Sequence, residues 1–276
     1  MRAVLFVLGL FLAVCAAPPP VAEAEPQAPP VATPAERTAA ELAGAMVREV
    51  PGLVAVAPQD EVEWNRQVGE QLALAGQTVD HAQLLVTVDR NPAVQEMRIV
   101  LARPDRPWRL IGAAHVSTGE PGVRGHYKTP VGVFEHNRRI IDYRAQGTYD
   151  RHHLRALGVK GMRVWDFGWH TTEDWREPDG WMRIRLEIHA TDPLVLESRI
   201  GQPASKGCVH VSAALDRFLD RHGVLDAGYE AAAEIDGRYR ELLMADRTPT
   251  PLAGTLMVVF DSGAGGAGAR PSVLTY

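Results

Sequence analysis

The feature that most constrains the fold of this chain is a change to a two-residue apolar period near Gln83. From there, runs in which apolar residues alternate with polar or smaller ones are separated by turn-forming segments such as Asn91-Pro92 and Pro104–Pro107. The predicted strands are residues 84–88, 97–101, 108–116, 131–135, 162–167, 182–188 and 256–260. Strands at this spacing predict a mainly β fold, either a sandwich of sheets or a barrel.

Helices are predicted on both sides of this β region. Thr33-Pro34-Ala35-Glu36 is a capping box with proline at the first helical position, and the helix it opens continues to Pro51. A second N-terminal helix is expected from about Asp60 to Ala75. Toward the C-terminus, Ser212 is expected to cap a helix that ends at Gly223, and residues 229–244 are expected to form another.

The N-terminus indicates export. Arg2 is followed by an apolar run that is too short to span a bilayer comfortably and is typical of a secretory signal peptide, with a small-x-small site at Ala22-Glu23-Ala24. A second interpretation stays open, because Leu12-Ala13-Val14-Cys15 resembles a lipoprotein signal that would leave Cys15 lipidated and attached to a membrane. Both interpretations place the protein in the periplasm or cell envelope of a bacterium.

Cys208 is the residue that first suggests chemistry. The chain has two cysteines, and Cys15 lies in the leader, so Cys208 has no partner for a disulfide inside the mature chain. A buried cysteine acting as a small hydrophobe is the alternative. A histidine, His189, ends a predicted strand nineteen positions earlier, and a lone cysteine with an upstream histidine suggests a nucleophile and its base.

The neighbours of Cys208 fit the same interpretation. A thiol needs a base or a positive charge nearby to become a thiolate near neutral pH, and His189 and Lys206 are candidates for these two parts. Gly207 permits a tight backbone turn before the nucleophile. The backbone N–H groups of Gly207 and Cys208 would then face a developing oxyanion.

Two separate motifs extend this reasoning to a known family. Ile188-His189-Ala190 is followed by Ser205-Lys206-Gly207-Cys208-Val209, and the segment Tyr127–Phe134 reads Tyr-Lys-Thr-Pro-Val-Gly-Val-Phe. Together with Val116–Gly119 at the end of a predicted strand, these segments resemble the L,D-transpeptidase catalytic family of cysteine enzymes that act on peptidoglycan. The resemblance covers roughly residues 82–222.

The resemblance implies a β-sandwich catalytic domain and a set of roles. Cys208 would be the nucleophile, His189 the base, Ser205 the residue that orients His189 through its backbone carbonyl, and Gly207 with Cys208 the oxyanion donors. His210, Lys206 and Tyr127 would contact substrate. The enzyme would attack the third residue of a tetrapeptide stem, release D-alanine, hold a thioester and form a 3–3 cross-link. Hydrolysis of the thioester, transfer to a wall-anchored protein and a non-catalytic wall-binding module are the alternatives.

The resemblance also suggests a division of the chain. Residues 1–24 would be the signal peptide, 25–33 a Pro/Ala-rich tether, 34–80 a helical N-terminal region, 81–223 the catalytic domain and 224–276 a C-terminal helix, strand and Gly-rich tail. The net charge is −5 and no basic stripe is present, so nucleic acid is not expected as a partner. No cofactor is expected. The pair His152-His153 lacks the spacing of a zinc site, so no metal is expected either.

Two positions depart from the family pattern. Lys206 stands where histidine is common, and His210 stands where arginine or asparagine is common. If residues 208–210 are extended, Cys208 and His210 share a face, and His210 would touch substrate or compete as the base. A segment rich in aromatic residues also stays open to two interpretations, either core or the lining of a cleft. Its members are Trp165, Phe167, Trp169, Trp175 and Trp181.

Overall fold

The computed structural model describes residues 32–177 and 179–264 of the 276-residue chain. The leader, Cys15 and nearly all of the predicted tether lie outside these residues, so the expectations about export and lipidation stay predictions. The described residues from Thr33 onward belong to one compact unit. Within the described ranges, no helix combines the length and the apolar character that crossing a membrane requires.

Nine strands and five α-helices make up the described part of the chain. The strands are β1 (Gln83–Asp89), β2 (Glu96–Ala102), β3 (Arg109–His115), β4 (Gly132–Glu135), β5 (Tyr143–Arg144), β6 (Arg163–Glu173), β7 (Trp181–Ala190), β8 (Val209–Val211) and β9 (Leu256–Phe260). The helices are α1 (Pro34–Glu49), α2 (Pro58–Leu74), α3 (Ala213–His222), α4 (Tyr229–Ile235) and α5 (Gly237–Leu242).

The strands form two mixed sheets. The first has five strands in the order β3-β2-β1-β9-β4, with β1 and β9 parallel and the other neighbours antiparallel. The second has four strands in the order β5-β6-β7-β8, and only β7 and β8 are parallel. Because β9 pairs between β1 and β4, the C-terminal segment supplies an interior strand of the first sheet.

The main core lies between the two sheets. Val86 and Val88 of β1 share one hydrophobic cluster with Trp165 of β6, Ile188 of β7 and Val209, which begins β8. Burying such side chains contributes roughly 1.5–3 kcal/mol each, so this layer is the main source of the stability of the fold. Because side chains alternate along β1, its remaining residues lie on the outer face of the first sheet.

Helix α2 covers the outer face of the first sheet. Trp64 and Val68 of α2 pack with Leu85 and Val258, and the Trp64 indole N–H donates a 2.8 Å hydrogen bond to the hydroxyl of Thr87. All seven residues of β1 are therefore buried. The two-residue period of β1 thus divides its apolar side chains between two hydrophobic clusters.

The expected mainly β fold with flanking helices is confirmed. The predicted strands all occur, and the predicted capping box is present: Thr33 accepts a hydrogen bond from the backbone N–H of Glu36, whose carboxylate accepts one from the Thr33 N–H. Ser212 caps α3 as expected, and α3 ends at Gly223 in the left-handed conformation. The division of the chain into regions at residues 80 and 223 stays a prediction.

Two local expectations need correction. The single helix predicted over residues 229–244 is wrong, because Asp236 is extended, ends α4 and caps α5 by accepting a hydrogen bond from the Arg238 N–H. Strand β5 was not predicted. It has two residues and pairs with the start of β6, so no alternation reveals it.

Candidate active site

Two parallel strands of the second sheet bring the predicted nucleophile and base together. His189 of β7 is directly opposite His210 of β8, and Cys208 immediately precedes β8. Because residues two apart on a strand share a face, Glu187 joins His189 on β7 as Cys208 joins His210 on the neighbouring segment. We call these four residues the Cys208 cluster.

The distances within the Cys208 cluster are short. The Cys208 sulfur lies 3.8 Å from Oε2 of Glu187, and the imidazole rings of His189 and His210 have centroids 4.5 Å apart. One ligating atom each from Glu187, His189 and Cys208 can be chosen so that all three lie within 4.8 Å of one another. The thiol and imidazole that the sequence analysis paired are therefore neighbours on one sheet face.

His189 is set up to accept a proton. Its side chain is buried, and its Nδ1 donates a 2.8 Å hydrogen bond to the backbone carbonyl of Ala190, which leaves a lone pair on Nε2. Burial lowers the pKa of His189 to about 4. The imidazole is therefore neutral near neutral pH and can act as a base.

Cys208 is a neutral thiol in this setting. The residue is half-buried, and its pKa is raised to about 12, first by burial and then by the negative charge of Glu187. Lys206, a candidate for favouring the thiolate, is exposed, and the charges with the largest influence on the pKa of Cys208 are those of Glu187 and Asp166. The sulfur is therefore protonated near neutral pH, and any attack by it would require a base.

The expected role of Ser205 is wrong. Its backbone carbonyl accepts a hydrogen bond from Glu120 N–H and not from His189, whose Nδ1 is already bonded to Ala190. The Ser205 hydroxyl instead donates to the Cys208 carbonyl at 2.6 Å and accepts from the Gly207 N–H at 3.0 Å. Ser205 thus fixes the turn that carries the cysteine.

Gly207 has the conformation that only glycine adopts easily. Its φ is +130°, and a Cβ at this position would lie 2.7 Å from Cδ1 of Ile184. Its N–H is held by Ser205, so in this structure the Gly207 amide is not directed at an oxyanion. The tight turn expected before the nucleophile is present.

The Thr-Pro segment contacts the turn that carries the cysteine. The Thr129 hydroxyl donates a 2.9 Å hydrogen bond to the Gly207 carbonyl and accepts one of 2.9 Å from Gly119 N–H. A Cβ at Gly119 would lie only 1.8 Å from the carbonyl oxygen of Tyr127. Ser117 exchanges two backbone hydrogen bonds with His210, at 2.9 and 2.8 Å. The three sequence segments of the resemblance therefore meet around Cys208.

The predicted substrate-contacting residues are placed differently from one another. His210 is half-buried and borders a small cavity with Ser117 and Arg199, beside the ring of His189. Burial, followed by the positive charge of a protonated His189, lowers its pKa well below the ordinary value. Tyr127 is half-buried, with its Cβ 3.8 Å from where a Cβ of Gly207 would lie. Lys206 is exposed.

Glu187 and the groups around it were not predicted. The hydroxyl of Tyr143 donates a 2.8 Å hydrogen bond to Oε1 of Glu187. Arg185 forms an ion pair with the buried Asp166, with its Nε 2.8 Å from Oδ2. Glu187 is two residues before His189, so the period of the predicted strand placed both on one face, and this signal could have identified it.

The aromatic segment is divided between core and surface by a β-bulge. Trp165 and Phe167 are in the core, whereas Trp169 is 50% exposed. The pairing of β6 with β7 shifts between Asp166 and Gly168, and this extra residue reverses which face the following side chains occupy. Trp181, at the start of β7, is 51% exposed. The core interpretation therefore holds for Trp165 and Phe167, and the lining of a cleft stays a prediction for the exposed members.

Among the residues that the structure describes, two groups have metal-ligating atoms close together. Glu187, His189 and Cys208 offer one oxygen, one nitrogen and one sulfur, which are ligand types of zinc. The other group is His136, Asp142 and Asp226, but both aspartates accept hydrogen bonds from Arg163, so this group is an ion-pair cluster. The absence of a metal stays a prediction.

Comparisons with known proteins give little further information. No protein-family model matches the sequence, and no curated protein matches it. Among solved structures, an L,D-transpeptidase from Stackebrandtia nassauensis is 15% identical, with 80% of this chain and 90% of that chain covered and a TM-score of 0.29.

A second similar structure is a fused Zn-dependent amidase/peptidase with a peptidoglycan-binding domain from Clostridium acetobutylicum. It is 10% identical with a TM-score of 0.28, and the match covers 75% of this chain and 65% of that one, slightly under two thirds of its length. With TM-scores this low, neither likeness supports a statement about the activity of this chain.

Proposed function

We propose that this protein is an exported cysteine acyltransferase of the L,D-transpeptidase type, which acts on the tetrapeptide stems of peptidoglycan. The observation that carries the proposal is the meeting of three separate sequence segments around one thiol and one imidazole. Thr129 contacts the Gly207 turn, Ser117 pairs with His210, and a ring nitrogen of His189 and the Cys208 sulfur belong to a group of atoms within 4.8 Å.

The first half of the reaction forms a thioester. Nε2 of His189 takes the proton of the Cys208 thiol as the sulfur attacks the carbonyl carbon of the third stem residue. The tetrahedral intermediate then collapses, the C–N bond to D-alanine breaks, and the His189 imidazolium gives its proton to the departing nitrogen. We assign the Cys208 backbone N–H as the donor to the oxyanion, because Ser205 holds the Gly207 N–H.

The second half transfers the acyl group to an acceptor. An amine from a second stem attacks the thioester carbonyl, the C–S bond breaks, and the product is a 3–3 cross-linked peptide. Water as the acceptor would give a trimmed stem, and an amine on a wall-anchored protein would give attachment. The neutral His189 at neutral pH suits both halves, because it can accept a proton from the thiol and later return one to the sulfur.

The location is proposed from the sequence alone. A basic residue followed by a short apolar run and small residues at the N-terminus favours export to the periplasm or cell envelope, where peptidoglycan stems are available. If Cys15 is lipidated, the protein would also be attached to a membrane.

The proposal is tested by incubating the purified protein with a disaccharide-tetrapeptide and identifying the products by mass spectrometry. We expect release of D-alanine, a protein adduct on Cys208 and a cross-linked dimer of stems. Cys208→Ala should abolish all three and leave the thermal unfolding midpoint within a few degrees of wild type, because the residue is half-buried and only weakly bonded.

Each rival function has its own product pattern. If D-alanine is released and the stem is trimmed, but no dimer forms at any acceptor concentration, the enzyme is a hydrolase and not a transferase. Stem binding without any adduct on Cys208 would indicate a non-catalytic wall-binding module. Full activity of Cys208→Ala would refute the assignment of the nucleophile.

A further inference from the structure

The carboxylate of Glu187 occupies an unexpected place for a group beside a nucleophilic sulfur. Its Oε2 lies 3.8 Å from the Cys208 sulfur, and its Oε1 accepts the 2.8 Å hydrogen bond from Tyr143. The side chain is only 13% exposed. A negative charge at this point raises the pKa of Cys208, so it opposes formation of the thiolate. Its charge therefore keeps the sulfur protonated before attack, and the thiol directs a hydrogen bond at its Oε2.

The charge of Glu187 is only partly matched by its neighbours. Arg185 is the nearby cation, but its guanidinium is bound to Asp166, and its Nε is 3.9 Å from Oε1 of Glu187. Tyr143 supplies a neutral hydroxyl, and His189 is neutral. Asp166 adds a second negative charge, so two carboxylates face one guanidinium on this part of the sheet.

We propose that Glu187 binds the primary ammonium group of the acceptor and takes its proton as the acceptor attacks the thioester. The proposal rests on the proposed function and names the class of acceptor, which is a cationic side-chain amine in preference to water. An ammonium ion would complete the charge balance that Arg185 leaves open, and it would do so within reach of the carbon attached to the Cys208 sulfur.

The protons and bonds balance in this step. The ammonium gives one proton to the Glu187 carboxylate, and the resulting amine forms a C–N bond to the thioester carbonyl. The C–S bond then breaks, and the second proton lost by the nitrogen passes through Nε2 of His189 to the sulfur, which restores the thiol. Glu187 afterwards releases its proton to solvent.

The environment of Glu187 also suits the role of base. Burial is the largest influence on the carboxylate and raises its pKa, and the charge of Asp166 acts in the same direction. The hydrogen bond from Tyr143 and the charge of Arg185 act in the opposite direction without cancelling the rise. A carboxylate whose pKa is raised is a better acceptor for the proton of an ammonium ion.

The experiment separates the two halves of the reaction. The acyl-enzyme is formed with a tetrapeptide stem and then divided among three conditions: water alone, a tetrapeptide whose third residue carries a side-chain amine, and hydroxylamine, which is uncharged at neutral pH. Glu187→Gln should lower the rate of transfer to the side-chain amine by about 10–100-fold. Transfer to hydroxylamine should fall far less, because this acceptor brings no charge to be bound or proton to be removed before attack.

A second readout follows the thiol itself. Glu187→Gln removes the charge that raises the pKa of Cys208, so alkylation of the free enzyme by iodoacetamide at pH 8 should become faster. The matched control is Glu41→Gln, which removes one exposed carboxylate from α1 and should change neither the partition nor the alkylation rate. If Glu187→Gln does not fold, Glu187→Asp keeps the charge but withdraws the carboxylate from the sulfur by one methylene, and it should shift the partition in the same direction by a smaller factor.

The outcomes are distinct. The proposal would be overturned if Glu187→Gln lowered the rates of transfer to the side-chain amine and to hydroxylamine by the same factor. It would also be overturned if hydrolysis slowed more than transfer, because Glu187 would then position water. An unchanged partition in both Glu187→Gln and Glu187→Asp would also overturn it. Failure of the proposed function looks different, because the wild-type protein would then form no acyl-enzyme at all.

Discussion

Two clusters of ionisable side chains lie within or beside the same four-stranded sheet, and they differ in how their charges are matched. Around Arg163, at the start of β6, the carboxylates of Asp142, Asp220 and Asp226 all lie within 3.2 Å of the guanidinium. We call these residues, together with His136, the Arg163 cluster. In the Cys208 cluster, by contrast, the carboxylate of Glu187 faces a neutral thiol.

Two buried histidines show the same difference. His136 donates from both ring nitrogens, to the Leu225 carbonyl at 2.8 Å and to Asp142 at 2.9 Å, as an imidazolium does. Burial alone would lower its pKa, but Asp142 raises it. For His189, burial lowers the pKa to about 4, and the hydrogen bond to the Ala190 carbonyl does not offset this effect. Burial therefore gives opposite protonation states according to the partner that is present.

This difference indicates which of the two clusters stabilises the fold. A buried ion-pair network in which every charge has a partner ties elements together, here β6, α3 and the segments that carry Asp142 and Asp226. A set of groups with an unmatched carboxylate and an uncharged base beside a thiol costs stability and is typical of sites where a ligand or a reaction supplies the missing partner. Each prediction below tests one side of this contrast.

The largest expected effect in the Cys208 cluster, after loss of the thiol, follows from His189→Ala. Removing the base should slow thioester formation by about 10²–10⁴-fold. His210→Ala should cost much less, because the structure places the His189 ring and not His210 in the group of atoms around the sulfur. The rate of D-alanine release measures both. The reverse order of the two variants would exchange the assigned roles of the two histidines.

The largest expected effect in the Arg163 cluster is on stability. Arg163→Met leaves the fully buried Asp142 and Asp226 without their shared guanidinium, which should lower the free energy of unfolding by about 3–5 kcal/mol. The control is Arg238→Met, which removes an exposed ion pair with Asp236 and should cost less than about 1 kcal/mol. Urea unfolding measures both. Equal costs would show that the buried network adds nothing to the fold.

Much of the fold and part of the candidate site could be predicted from the sequence, because they rest on local patterns. The two-residue period predicted the strands, and the strand that ends near His189 predicted the position of the proposed base. The segment Ser205–Val209 predicted the proposed nucleophile, and Thr33 with Glu36 predicted the first helix. Each of these signals lies within a few residues of the element it specifies, so no knowledge of the tertiary fold was needed.

The rest depends on contacts between distant residues. The Arg163 cluster brings together residues from 136–142, 163 and 220–226, and no local sequence pattern connects these segments. The Ser205 carbonyl accepts a hydrogen bond from Glu120 N–H, and His189 bonds to Ala190 instead, so the expected contact between Ser205 and His189 does not form. The bulge between Asp166 and Gly168 turned Trp169 outward, and a one-residue shift of this kind leaves no signal in the composition of the strand.

The smallest expected effect concerns the pH dependence of stability, and it has opposite signs in the two clusters. Folded His189 has a pKa of about 4, below the ordinary 6.5, so its contribution to stability is present above pH 6.5 and is lost as the pH falls through 4. By pH 5 the loss should reach about 2 kcal/mol, and His189→Gln should remove it. The pKa of His136 is raised, so its contribution is present below pH 6.5 and is lost as the pH rises through the folded pKa.

Urea unfolding at pH 7.5 and pH 5 tests both signs. The stability advantage of wild type over His189→Gln should shrink by about 2 kcal/mol on acidification, whereas its advantage over His136→Gln should grow. If both advantages grow on acidification, both histidines are protonated in the folded protein. His189 would then be an imidazolium and could not take the proton of Cys208, so the contrast between a matched and an unmatched cluster would fail at the residue on which the proposed reaction depends.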